Sequence, residues 1–119
     1  MRATYAHGAE VRLAAGSDPH ALGGAVTVAL CGELGHDGSC PLAPHHTAFE
    51  HEGALVRLRV LFACSSGDEA QVRERIVAAL RAGALIGPDG TGSRWELVGD
   101  APLDLRPEWV DHAARLARG

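Results

Sequence analysis

The chain has 119 residues, 46% of them hydrophobic and 22% charged, which is enough for one hydrophobic core and too apolar for wholesale disorder. A net charge of −4 argues against a nucleic-acid partner. No apolar run approaches the roughly 18 residues that a membrane-crossing helix needs. The opening MRATYAHGAEVRLAA lacks the apolar stretch of a signal peptide. With an odd count of three cysteines, the expectation is a single cytoplasmic domain over residues 1–119, its thiols reduced or metal-bound.

In chain order, Ala9–Ala14 alternates Val11 and Leu13 against Glu10 and Arg12 and predicts a strand. Gly16–Gly24 holds Gly, Ser, Asp and Pro and predicts a loop. Ala25–Cys31 is apolar and rich in β-branched residues, which predicts a second strand. Gly32–Pro44 has no apolar period and predicts a long loop, a length that often carries function.

His45–Glu52 and Ala54–Ala63 predict an antiparallel hairpin turning at Glu52-Gly53, where glycine accepts a positive φ. That turn sets Phe49 opposite Val56, Glu50 opposite Leu55 and Ala48 opposite Arg57. Strand parity puts Val56, Leu58, Val60 and Phe62 on the core face, with His45, Thr47, Phe49 and His51. His46, Glu50, Arg57 and Arg59 take the opposite face. The Ala54–Ala63 run is the most apolar in the chain and is expected at the centre of the sheet.

Ser66–Ala84 predicts a helix opened by a Ser66/Glu69 capping box, with a buried stripe of Val72, Ile76, Ala79 and Leu80. Arg73, Glu74 and Arg81 are expected to face outward. Gly87-Pro88-Asp89-Gly90 predicts a turn, Ser93–Val98 a strand, and Pro102 a loop. Pro107–Arg118 predicts a final helix with Trp109, Val110 and Ala113 on its apolar face. The fold class is therefore α+β: an antiparallel sheet of four to five strands with two helices packed on one face, in the order β-β-β-β-α-β-α. A ferredoxin-like variant is one form that this class takes.

Chemistry is concentrated in two places. The first is CGELGHDGSCPLAPHHTAFEH, from Cys31 to His51, within a chain that has seven histidines. His36, Cys40, His45, His46 and His51 are the side-chain types that ligate zinc or another transition metal. His45 and His51 stand roughly 20 Å apart along a regular strand, so a compact site takes Cys40 and His36 with His45 or His46. The spacing matches neither C-x2-C nor a zinc-finger pattern, and the plain alternative is a polar loop. The second place is the hairpin's polar face, where Arg57 and Arg59, paired with Glu50 and His46, offer guanidinium forks to a small anionic ligand. Its plain alternative is a solvated face with cross-strand ion pairs.

Cys64 shares parity with the core face and reads as a buried thiol; His7 and His20 read as lone residues in flexible segments. The function expected first is a metal-binding domain, with zinc the default ion; an open coordination position would allow hydrolase or lyase chemistry. The alternative is a non-catalytic accessory or interaction module that forms a homodimer through a half-covered sheet.

Overall fold

The computed structural model describes residues 3–31, 45–86, 90, 92–111 and 114–115. Among them run β1 (Ala3–Leu13), α1 (His20–Cys31), β2 (His45–Glu52), β3 (Leu55–Cys64), α2 (Glu69–Ala82), β4 (Ala84–Ile86) and β5 (Gly92–Leu103). The strands form one antiparallel sheet in the order β2-β3-β1-β5-β4. Each long helix links two strands that have a third between them: α1 joins β1 to β2 across β3, and α2 leads from β3 towards β5 across β1. This is the split β-α-β connectivity of the ferredoxin-like plan, with the short β4 added at one edge. The class is α+β, as the sequence implies. No helix among the described residues is long and apolar enough to cross a membrane.

The helices cover one face of the sheet. Leu22, Val26 and Leu30 of α1 and Val72, Ile76 and Leu80 of α2 pack on Val11, Val56, Leu58, Val60 and Phe62, all buried. β3 is central, paired with β2 on one side and β1 on the other, so its apolar alternation is buried by neighbours as well as helices. Cys64 lies in the same core, 2% exposed.

Several expectations are corrected. The predicted strand Ala25–Cys31 and the end of the Gly16–Gly24 loop are together the helix α1. AVTVALC is apolar but for Thr27, so its pattern fits strand and helix alike. Packing of Leu22, Val26 and Leu30 at helical spacing decides between them, against the β-branched bias and the Gly23-Gly24 pair. The start signal was Asp18, whose carboxylate accepts from the His20 N–H at 2.9 Å. That bond holds the Asp18 carboxyl below its ordinary range. The element order accordingly differs from β-β-β-β-α-β-α.

The β2–β3 turn is Gly53-Ala54, with Gly53 at φ 62°, so the register is two residues from the predicted one. Glu50 pairs with Arg57, Ala48 with Arg59 and Phe49 with Leu58. Because the slip is even, every side chain keeps its predicted face.

The Ser66/Glu69 capping box is absent. Ser66–Asp68 is a 3-10 turn, with Asp68 N–H donating to the Ser65 carbonyl and Ser65 Oγ donating to the Asp68 carboxylate. The helix ends at Gly83, φ 74°, where a Cβ would lie 2.7 Å from the Trp95 carbonyl oxygen. Trp95 ties this end down through Nε1–H to the Leu80 carbonyl, 2.8 Å.

β5 runs past the predicted Val98 limit to Leu103, through Pro102. That stretch lies beyond the end of β4 and pairs on the β1 side only, where a proline is tolerated. β5 also carries one extra residue, Val98, between the pairs Glu10↔Gly99 and Val11↔Leu97. The bulge inverts parity: Trp95 and Leu97 face the helices, and so do Asp100 and Pro102, while Ala101 and Leu103 face the other way.

The predicted helix Pro107–Arg118 begins as a 3-10 turn, Pro107–Trp109, with Val110, Asp111, Ala114 and Arg115 helical; residues 112–113 and 116–119 lie outside the described set. It does not join the helical layer. Trp109 packs with Ala6, Leu61 and Leu105 on the opposite, outer face. The two helices on one face are α1 and α2.

Candidate functional site

Strand register builds the outer face in rows. One row crosses the sheet as Ala48, Arg59, Gly8 and Ala101, a second as Glu50, Arg57, Glu10 and Gly99, and a third as His46, Leu61, Ala6 and Leu103. The middle row is nearly bare, with Arg59 its one long side chain. A cleft of about 450 Å³ lies over its end at Ala48 and Arg59, lined by Glu50, Arg57, Arg59, Leu103, Arg106 and Trp109.

The two strand arginines are not equivalent. Arg57 is exposed and ion-paired with Glu10 at 3.3 Å and Glu52 at 3.8 Å, contacts worth under about 1 kcal/mol each. Glu50 is its cross-strand partner by register, yet these ion pairs go to the other two acids. Arg59 is half-buried. Its guanidinium carbon stands 4.2 Å from the centroid of the Trp109 ring, and its Nε–H is sealed from solvent with no acceptor. No carboxylate among the described residues pairs with it. The indole face offsets part of the desolvation cost of the cation. Arg106 adds a second guanidinium 5.2 Å from the same ring, and its own ion pair to Glu108 is long, 3.9 Å.

Of the expected metal ligands, the structure describes His45, His46 and His51. His36 and Cys40 lie outside the described residues. His45 and His51 face the helices, and His46 takes the outer face. His45 Nε2 is 3.1 Å from Thr27 Oγ1 of α1. His51 is exposed, its ring 5.5 Å from that of Phe49. Among the described residues no three His, Cys, Asp or Glu side chains converge where an ion could sit.

His7 and Arg73, read from sequence as a lone residue and an outward one, form a buried network instead. Arg73 turns inward over Phe62 and donates through Nη1 to the Ala6 carbonyl at 2.9 Å and to His7 Nδ1 at 3.0 Å. Nδ1 is thus an acceptor, so the ring proton sits on Nε2 and donates to Asp100, 3.0 Å away. Arg73 Nε donates to Glu69 at 2.8 Å. The network serves to fasten α2 to β1 and β5. His20 is likewise engaged, with Asp18 at 3.0 Å.

Trp109, Arg106 and Leu103 were the site residues that the sequence reading did not place. Nothing local connects position 59 with 109; the contact depends on which face the C-terminal segment crosses. The chain matches no protein-family model, no curated protein and no solved structure.

Proposed function

We propose that the chain is a small binding module whose ligand is an anion held on the outer face of the sheet, with Arg59 the principal contact and Arg106 beside it. The observation that supports this reading is the state of Arg59: a half-buried cation on a central strand, stacked on Trp109, with no carboxylate partner among the described residues. Such a charge is costly to leave unpaired, and an anion in the cleft would meet its two terminal amino groups as a fork. The stacked indole holds the guanidinium in place, so little rotamer freedom is lost on binding. Arg57 contributes less, because Glu10 and Glu52 already share its charge.

Calorimetric titration of the untagged chain with sodium phosphate and sodium acetate tests this. Arg59→Met is expected to weaken binding by about 10- to 100-fold, the loss of one charge-assisted hydrogen-bonded pair of about 1.5–3 kcal/mol. Arg57→Met is expected to change it far less. Equal binding by wild type and Arg59→Met would end the reading.

A second reading keeps the metal. β2 begins at His45, so the strand holds His45 and His46 close in sequence to Cys40 and His36. We propose zinc or another transition metal bound by Cys40 with His36 and one of His45, His46 and His51. Ligation requires a thiolate and neutral imidazoles, so affinity is expected to fall as pH drops through the imidazole range near about 6.5. Elemental analysis of untagged protein should find about one metal per chain, lost in Cys40→Ser. Metal-free protein with no thermal shift on added zinc would dispose of it.

A further inference from the structure

The anion cleft does not end at Arg59. A second cleft of about 370 Å³ adjoins it, lined by Gly8, Gly99, Ala101 and Leu103 and sharing Arg57, Leu58 and Leu103 with the first. Its two acids are already engaged: Glu10 with Arg57, and Asp100 with His7. What remains is an apolar surface of small residues with, at one end, a guanidinium that no carboxylate among the described residues pairs. From Arg59 across Gly8 to Ala101 is two strand spacings, about 10 Å.

Leu103 stands between the clefts. It leans over Gly8 so closely that a Cβ there would lie 2.7 Å from Leu103 Cδ1. It is also 39% exposed, a large apolar side chain presented to solvent at the end of β5. A change of its rotamer would join the two clefts into one groove across the strands.

From these observations, and resting on the anion reading above, we infer that the ligand is an amphipathic monocarboxylate, its head on Arg59 and its apolar body lying over Gly8 and Ala101. A phosphate or a short carboxylate would use the first cleft only. A medium-length acyl chain would also cover the apolar cleft and displace its water, which is favourable in proportion to the area removed. A polyanion fits less well, because Glu50 and Glu10 face the same groove.

The test is calorimetric titration of the full chain with sodium acetate, sodium octanoate and sodium phosphate, below the concentration at which octanoate self-associates. Wild type is expected to bind one octanoate per chain about tenfold or more tighter than acetate. Ala101→Phe fills the apolar cleft from an exposed position and is expected to weaken octanoate about tenfold while leaving acetate unchanged. Leu103→Ala removes the divider and is expected to strengthen octanoate. Arg59→Met should weaken both carboxylates, and Arg59→Lys, which keeps the charge without the fork, covers the case in which the methionine variant does not fold.

Octanoate and acetate bound equally, both dependent on Arg59, would overturn the amphipathic ligand and leave the anion reading standing. Octanoate bound without dependence on Arg59, or no anion bound at all, would overturn both.

Discussion

Phe62→Ala is expected to lower the unfolding free energy by about 3–5 kcal/mol, a large part of the roughly 5–15 kcal/mol that holds a domain of this size. Phe62 is 0% exposed on the central strand and contacts more than aliphatic neighbours. Its ring stacks on Tyr5 at 5.4 Å, and the Arg73 guanidinium lies 5.2 Å above it. Truncation therefore opens a cavity between β1, β3 and α2 and also removes the surface on which Arg73 rests. Leu58→Ala, on the same face four residues away and 4% exposed, is expected to cost about 2–5 kcal/mol by the cavity alone. Urea unfolding with an unchanged slope would report both losses as stability. A loss below about 1 kcal/mol for Phe62→Ala would contradict the packing of α2 on this strand.

Arg73→Ala is expected to be comparably damaging for a different reason. It leaves the Ala6 carbonyl and His7 Nδ1 without their donor, and each unsatisfied buried acceptor costs about 1–3 kcal/mol. The Arg73 side chain is only 16% exposed and His7 only 4%, so water cannot readily replace it. Glu69, more than twice as exposed at 37%, adds little. A double-mutant cycle with His7→Ala separates the network from simple packing, with an expected coupling of about 1–3 kcal/mol. Additive single losses would show that His7 and Arg73 act independently. Arg73→Lys should recover only part of the loss, because an ammonium cannot reach three acceptors in the guanidinium's plane.

What the local pattern determined is considerable. The alternation of Val56, Leu58, Val60 and Phe62 determined both that β3 is a strand and which face is core. The 3.6-residue spacing of Val72, Ile76 and Leu80 determined the buried stripe of α2. The placement of Arg57 and Arg59 on the outer face was equally legible, and it survived an error of two residues in the hairpin register because parity has period two. These are short-range quantities: each depends on residues within one strand or one or two helical turns.

Tertiary structure decided what that range cannot contain. A segment such as AVTVALC, apolar but for Thr27, carries no clear period, so α1 became a helix only through its packing on the sheet and α2. The extra residue at Val98 became a bulge only because β5 returns beside β1, and that one residue turns Asp100 towards His7 and Ala101 towards the groove. Arg73 folds inward because His7 and the Ala6 carbonyl wait beneath it, 66 and 67 residues away in the chain. Arg59 differs from Arg57 because the C-terminal segment lays Trp109 on one and not the other. The candidate site is thus half local and half not: strand parity supplies its arginines, while the chain's long-range return supplies the walls that leave one of them half-buried, with no carboxylate partner among the described residues.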